Sequence, residues 1–490
     1  MNNEEHTRVL RAAYQAWMNA AGLRQARLRN KRFTYGDQWG DLVRDHQGRM
    51  MTEGEHMASL GCESITNNLI RQLVKTIVGR FRSQYLKGDG NEASKIATAA
   101  VREANELDEL DSRALEEFLI SGCCIQRVEN RHEPGEPEQV RVDNVNVNKV
   151  FAGTMNDTRA WDCELIGQLH DLNIAQLLRY VAGGNQRKAS WVRRLYTDGA
   201  ESRLTDFTTR LGADSQLGSD FWHARDGKFR AIEVWTLESR EVMVCHNRRE
   251  GTLTVEPASA AHRLRNRPDI SARWDIATVW HCRWFSPMGD LLTEYDSPWP
   301  HGSHPFVIKL YPLTDGEVHA VVEDIIDTQK HVNRMISLLD QVMRCSAKGV
   351  LLFPETALPD GWTWEDARRC WSSANGLLPY NPRYSEAKPE QINANNSNSS
   401  TFQMIELQMR LFEEISGVSG ALQGKSPTVD SASIYQQQSE NANIALSDVF
   451  DTFEAFRRQR NRKITGTVKS EELTVNSEEL IVNRPDYTNN

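Results

Sequence analysis

The segment GALQGKS at 420–426 comes near to the loop that binds nucleotide phosphates. That loop needs a glycine, four residues and then Gly-Lys-Ser or Gly-Lys-Thr, so that backbone N–H groups surround the phosphates. Here only three residues separate Gly420 from Gly424, and an amphipathic helical pattern precedes the segment where a strand is required. The spacing therefore favours a glycine-rich loop between two helices over a nucleotide site.

Histidine and cysteine residues lie close together at several places, but their spacing does not match a metal site. The candidates are His301 with His304, Cys245 with His246, and His281 with Cys282. Adjacent residues on a strand point to opposite faces, so one ion rarely binds both. No nucleophile elbow, zinc-protease helix or dinucleotide fingerprint is present. We therefore expect no metal, no cofactor and no catalytic site.

Charge and composition exclude a protein whose task is to hold DNA tightly. The 490 residues carry 58 Lys and Arg against 67 Asp and Glu, a formal net charge of -9. Tight phosphate binding needs an excess of basic residues. The eight cysteines are scattered, which indicates synthesis in a reducing cytoplasm. The sequence shows neither a signal peptide nor the run of ~20 apolar residues that a membrane span requires.

The pattern of apolar residues predicts a mixed α+β chain. Val9, Leu10, Ala13 and Trp17 recur at helical spacing and predict a helix over the first 30 residues. Residues 183–225 are polar and indicate a loop or insertion. From 229 to 310, short alternating runs divided by turn residues predict a β-rich region.

The second half of the chain shows a different order of elements. Residues 324–344 and 401–417 predict two amphipathic rods, which bracket a strand–helix–strand block between Lys348 and Pro389. A glycine-rich turn then leads to a long helix ending near Lys463. Beyond it, VKSEELT, VNSEELI and VNRPDYT form three seven-residue units at 468, 475 and 482. We interpret these units as a low-complexity tail.

This order of segments resembles the portal proteins of tailed phages, particularly those of the short-tailed type. Four local likenesses support the resemblance, which covers roughly residues 30–463. They are FTYGDQW at 33–39, SITNNLIRQLVKTIVGRF at 64–81, EDIIDTQKHVNRMISLLDQVM at 323–343, and EEISGVSGALQGKSPTVDSASIYQQQSE at 413–440. Each motif is short, but the four occur in the family's order.

The resemblance implies a portal-like α+β subunit within a ring of about twelve copies. Its parts would be a wing (1–322, with the β-rich region at 229–310), a stem (324–344 and 401–417), a small α/β clip (345–400), a tunnel loop (418–431) and a long kinked helix (431–463). Residues 464–490 would replace most of the family's crown. The ring would sit at one capsid vertex of the virion and assemble in the host cytoplasm. It would contact capsid and scaffold proteins, the terminase large subunit and the tail adaptor, while double-stranded DNA passes through without being held.

Candidate functional residues follow from the resemblance and from charge. The stem motif places Asp327, Gln329, Asn333 and Ser337 on one helix. The tunnel loop offers Gly420, Gly424, Lys425, Ser426 and Asp430. An acidic channel lining would repel DNA phosphates, and its candidates are Glu406, Glu413, Glu414, Asp448, Asp451 and Glu454.

Two other functions remain open at the level of sequence. The first is another structural virion protein, such as a head–tail connector, which a much smaller ring or a monomer would favour. The second is a metal- or nucleotide-dependent nuclease, which hydrolysis of DNA or ATP by the purified chain would favour.

Overall fold

The computed structural model is a mixed helix-and-sheet protein, which confirms the α+β class. It describes residues 2–45, 47–84, 99–131, 139–212, 219–225, 227–249, 251–264, 269–299, 301–311, 313–314, 317–346, 350–372, 378–381, 388–392, 399–418, 444 and 446–467.

The helices are α1 (Asn2–Asn19), α2 (Ala21–Tyr35), α3 (Glu53–Ser59), α4 (Leu69–Gln84), α5 (Leu107–Ser121), α6 (Ile174–Ala182), α7 (Gln186–Thr197), α8 (Ala200–Leu211), α9 (Ser219–Trp222), α10 (Ala261–Leu264), α11 (Glu323–Ser346), α12 (Trp364–Ser372) and α13 (Ser399–Ser416). Residues 99–104 and 446–467 are also helical. Among the described residues, no helix has the length and apolarity to span a membrane.

The strands are β1 (Leu42–Arg44), β2 (Met50–Thr52), β3 (Cys123–Arg131), β4 (Gln139–Asn144), β5 (Val150–Ala152), β6 (Leu165–Leu172), β7 (Phe229–Asn247), β8 (Leu253–Pro257), β9 (Ile270–Phe285), β10 (Leu291–Asp296), β11 (Phe306–Leu310), β12 (Leu313–Thr314), β13 (Glu317–Val318), β14 (Val350–Leu352) and β15 (Glu390–Ile392). Short 3-10 turns occur at Val147–Lys149, Ala258–Ala260 and Glu355–Ala357.

The chain divides into two compact units. The first unit contains residues 1–31, 72–324 and 421–490, and the second contains 32–71 and 325–420. Residues 32–71 therefore group with the helices of the second half of the chain.

An antiparallel sheet of six strands dominates the first unit. Its order is β10-β9-β7-β6-β5, and β8 adds to the far end of β7. Residues 230–235 of β7 are buried without interruption, as a central strand covered on both faces should be. A second sheet, β11-β3-β4, lies in the same unit. Gly167 on β6 has no room for a side chain, because a Cβ there would lie 2.2 Å from Phe151 Cζ.

The core of the first unit is aromatic and is built partly by the N-terminal helix. Tyr14 and Trp17 on α1 pack against Phe221 and Trp222 on α9. These side chains belong to one buried cluster with Trp235 and the other apolar residues of the six-stranded sheet. Trp17, Trp222 and Trp235 thus fill part of this core, whereas Trp161 and Trp274 are exposed.

The prediction of a loop at 183–225 is wrong, because the segment contains α7, α8 and α9. Val192, Leu195 and Leu204 are buried and supply the apolar face of α7 and α8. Asn185 caps α7 by accepting from the backbone N–H groups of Arg187 and Lys188. The segment has few apolar residues among many charged ones, so its helical periodicity is hard to recognise from the sequence.

The block between the two rods of the second unit pairs differently from the prediction. β14 pairs antiparallel with β15, and α12 lies between them in sequence. The second strand is Glu390–Ile392, just beyond the predicted block, whereas residues 378–381 within that block have no regular structure.

Glu106 interrupts the helical stretch that precedes α5 and is held in a left-handed conformation, with φ 50° and ψ 46°. That conformation costs a residue with a Cβ roughly 1 kcal/mol. We predict that Glu106→Gly raises the free energy of unfolding by about 0.5–1 kcal/mol in urea titration. The control Glu103→Gly lies in the helical residues 99–104 and should lower it by about 1 kcal/mol. Equal losses in both variants would contradict this account.

Candidate functional site

Helix α11 carries polar residues on one face at a spacing of four. Gln329, Asn333 and Ser337 are fully or almost fully buried, with exposed fractions of 0%, 1% and 0%. Residues four apart lie one above the other on a helix. Beside this row Ile326, Val332 and Leu339 are buried, so apolar packing holds the polar row in place. We call these three side chains the polar ladder.

The polar ladder satisfies backbone groups at the start of α4. Gln329 Oε1 accepts from the N–H groups of Leu69 at 2.9 Å and Ile70 at 3.3 Å. These are among the first N–H groups of α4, which have no partner within that helix. Gln329 Nε2 donates to the carbonyl oxygen of Asn67 at 2.7 Å. One side chain therefore both caps α4 and fixes the residues that lead into it.

The other two members of the ladder extend this contact along the extended segment. Asn333 Oδ1 accepts from the N–H of Asn67 at 3.1 Å, and its amide donates to Gln38 Oε1 at 2.6 Å. Ser337 Oγ accepts from the N–H of Ile65 at 3.0 Å. Gln38 belongs to the FTYGDQW motif. Three of the four sequence motifs therefore meet at one place in the second unit.

Beside the ladder, α11 also forms a charged cluster with residues 32–53. Lys330 Nζ lies 2.9 Å from Asp41 and 3.0 Å from the buried Glu53. Arg32 pairs with Asp41 at 2.9 Å, and Arg334 pairs with Glu53. Lys330 and Arg334 offset part of the cost of burying the Glu53 carboxylate. Asp327, the fourth residue of the stem motif, is exposed and outside the ladder.

We predict that Gln329→Met lowers the free energy of unfolding by about 1–3 kcal/mol, because the buried N–H of Ile70 loses its acceptor, while the N–H of Leu69 and the carbonyl of Asn67 keep only their contact with each other. Asp327→Asn changes an exposed member of the same motif and should change stability by less than about 0.5 kcal/mol. Urea unfolding of the two variants measures the difference. Similar small effects for both would show that the ladder does not hold the second unit together.

In the first unit, helix 446–467 is fixed through Asp111 of α5. Arg457 Nε donates to Asp111 Oδ2 at 2.8 Å, and Arg460 pairs with the other carboxylate oxygen. Phe453 packs against Phe81 and Phe118. Burial would lower the pKa of Arg457, but the charges of Asp111 and Glu454 raise it overall. No sequence pattern indicates the pairing with Asp111, which lies more than 300 residues away.

Lys463 lies at the end of this helix and is buried against backbone carbonyl groups. Its Nζ donates to the carbonyl oxygen of Phe306 at 2.8 Å and also to that of His304. Burial lowers the pKa of Lys463 to about 7. Burial and the Lys463 charge also lower the pKa of His301 to about 4 and hold the pKa of His304 well below its ordinary value.

These pKa values make the attachment of this helix dependent on pH. Between pH 7 and 10.5 the unfolded Lys463 binds a proton that the folded one does not, so stability rises with pH in that window. We predict that the free energy of unfolding of the wild type, relative to that of Lys463→Met, rises by up to about 1.4 kcal/mol per pH unit from pH 7 to 10. Urea titrations across that range measure it. Lys75→Met, at an exposed site, is the control. If wild type and Lys463→Met show parallel pH profiles of the free energy of unfolding, the lowered pKa of Lys463 is wrong.

A buried carboxylate also joins the two sheets of the first unit. Glu233 Oε2 accepts from Arg127 at 2.6 Å and from His170 at 2.7 Å, while Oε1 accepts from Trp235 at 2.7 Å. Burial would raise the pKa of Glu233, but Arg127 and His170 outweigh it and lower the pKa to about 2. Both oxygens of this carboxylate accept hydrogen bonds from side chains of the core, which indicates a structural role.

The acidic residues predicted for a channel lining differ in their surroundings. Glu406 pairs with Arg410 at 2.8 Å, Glu454 pairs with Arg457, and Asp448 accepts from the Tyr311 hydroxyl at 2.7 Å. Glu413 is half-buried. Glu414 and Asp451 are exposed, and within the described residues neither makes an ion pair. The predicted tunnel-loop residues Gly420, Gly424, Lys425, Ser426 and Asp430 lie outside the described residues.

Both rods of the second unit leave apolar side chains exposed. On α13, Met404, Leu407 and Ile415 are 50%, 50% and 52% exposed, whereas Phe412 on the same helix is buried. On α11, Leu338 and Val342 are 47% and 44% exposed and lie opposite the polar ladder. Such stripes on two helices are typical of surfaces that another chain covers.

Comparison with known proteins identifies one family. A family model described as phage P22-like portal protein matches residues 10–469. No curated protein matches the chain.

Proposed function

Because the chain belongs to the phage P22-like portal protein family, we propose that it forms a ring of about twelve subunits at one capsid vertex, through which DNA is packaged and ejected. The family match over residues 10–469 carries this proposal. The exposed stripes of α11 and α13 support it, because a closed ring offers each copy two neighbours to cover them.

In this proposal the chain is structural and performs no catalytic step. The terminase motor would dock on the ring during packaging and supply the energy from ATP, and the tail adaptor would bind afterwards. Capsid and scaffold proteins would surround the ring during assembly. The two rods would form the stem, and residues 345–400 would form the clip.

The channel lining would repel DNA. Glu414 and Asp451 are the strongest candidates, since both are exposed and neither is neutralised by a cation among the described residues. Glu406 and Glu454 contribute less, because an arginine neutralises each of them. An exposed carboxylate repels phosphates only within about a Debye length, ~8–10 Å at physiological salt. A ring of identical carboxylates at one level of a narrow pore would act over that distance.

We predict that the purified chain assembles. Twelve copies of 55.8 kDa correspond to 669.6 kDa (12 × 55.8). Mass photometry at micromolar loading should show a species near that mass, together with monomer. Met404→Glu with Leu407→Glu should shift the population to monomer, because charges replace the apolar stripe. Glu406→Gln, on the same helix, should leave assembly unchanged. A monomer alone under all salt conditions would favour a different connector protein.

Residues 418–431 would line the narrowest part of the channel. Gly417, Gly420 and Gly424 permit backbone conformations that other residues avoid, and Pro427 prevents a continuous helix. Lys425 would touch phosphates briefly, since a single exposed contact is weak.

The test of this loop is deletion of Gly420–Thr428 in an active phage that encodes this chain. Rings and heads should still form, while DNA fails to fill the head or to remain in it. Full-length packaging with normal retention would reject a role of the loop in the channel.

A further inference from the structure

Helix α7 is strongly basic in an acidic protein. Residues 172–197 contain five basic residues and no Asp or Glu, whereas the whole chain has a net charge of -9, so the rest carries -14 (-9 - 5). The five are Arg179, Arg187, Lys188, Arg193 and Arg194. Four of them lie on the twelve residues of α7.

One face of α7 is buried, and exposed arginines lie on the opposite face. Val192, Leu195 and Tyr196 are buried, and the Tyr196 hydroxyl donates to the carbonyl oxygen of Arg230 at 2.7 Å. The opposite side presents Arg187, Trp191 and Arg194 at positions i, i+4 and i+7, all exposed. We call these three residues the basic stripe; Arg193 is exposed beside it.

Some exposed arginines of the first unit pair with a carboxylate, whereas among the described residues those of the basic stripe do not. Arg113, Arg225 and Arg273 lie 2.9, 3.3 and 2.8 Å from a carboxylate. Within the described part of the chain, Arg187, Arg193 and Arg194 have no carboxylate within 4 Å. Like charges on one helix face repel. Tryptophan and arginine are enriched among the hot-spot residues of protein interfaces, which contribute most of the binding energy.

The C-terminal sequence has the complementary composition. Residues 468–490 contain Glu471, Glu472, Glu478, Glu479 and Asp486 against Lys469 and Arg484, a net charge of -3 (2 - 5). The unit Glu-Glu-Leu occurs twice, seven residues apart. Arg187 and Arg194 are also seven residues apart, about 10.5 Å along the helix. Leu473 and Leu480 can pack against the indole of Trp191. The phosphate backbone of DNA offers no such apolar group.

We propose that the acidic C-terminal segment 468–490 docks on the basic stripe of α7 in the same chain. The 23 residues beyond Thr467 can span up to about 75–80 Å. A segment tethered to the same chain has an effective concentration of about millimolar, which favours it over partners in solution. Its carboxylates neutralise Arg187 and Arg194, and the leucines cover Trp191. The segment thereby keeps a basic surface from binding DNA.

Disulfide trapping in the full-length chain tests the contact. Ser190→Cys lies on the exposed side of α7, and Ser477→Cys lies in the second Glu-Glu-Leu unit. In a Cys370→Ser background, this pair should form an intrachain disulfide about tenfold faster than the matched pair Ser59→Cys with Ser477→Cys, since proximity raises the effective concentration. Peptide mass spectrometry and non-reducing gels detect the product. Equal rates for the two pairs, or mainly interchain dimers, would overturn the proposal.

Binding of a fluorescent 30-base-pair duplex tests the consequence. Replacing Glu471, Glu472, Glu478 and Glu479 with Gln should strengthen binding at low salt by about tenfold, because the stripe becomes available to phosphates. Adding Arg187→Gln, Arg193→Gln and Arg194→Gln should abolish that gain. The control Arg113→Gln, Arg225→Gln and Arg273→Gln makes the same change in charge and should retain it. A glutamine variant that binds DNA no better than wild type would count against docking.

Discussion

The hydrogen bonds between Gln329 and the backbone of residues 67–70 are the contact on which the second unit depends. The segment before α4 is extended, so neither a helix nor a sheet satisfies its N–H and carbonyl groups. A buried backbone group without a partner costs about as much as a lost hydrogen bond. The polar ladder supplies the partners from one helix, in a row whose spacing matches the helical repeat. The apolar residues beside the row then pack without leaving polar atoms unpaired.

The two faces of α11 have different roles. One face carries Gln329, Asn333 and Ser337 and binds the same chain. The opposite face carries Leu338 and Val342, which are nearly half exposed. Because the intrachain contact is polar and directional, it fixes where the apolar face points. Burial of apolar surface, at about 25 cal/mol per Å², would then favour association with a neighbouring copy.

Much of this organisation follows from sequence patterns, and the remainder depends on contacts between distant residues. Helical spacing predicts α11 and α13, and alternation predicts the strands between 229 and 310. The stem motif pointed to Gln329, Asn333 and Ser337, yet nothing in it shows that their partners are backbone groups of residues 65–70. The polar segment 183–225 was wrongly predicted to be a loop, because each of its three short helices buries only a few apolar residues. The pairing of Asp111 with Arg460 and the burial of Lys463 depend on tertiary packing alone.

The most direct test of the account is a cryo-EM map of the purified assembly at a resolution that shows side chains. The account predicts a closed ring in which Gln329, Asn333 and Ser337 bind residues 65–70 of their own chain. In that ring, Leu338 and Val342 of α11 and Met404 and Leu407 of α13 would be buried against a neighbouring copy. A ring whose α11 and α13 stripes face solvent, or an assembly in which the ladder binds a different chain, would contradict it.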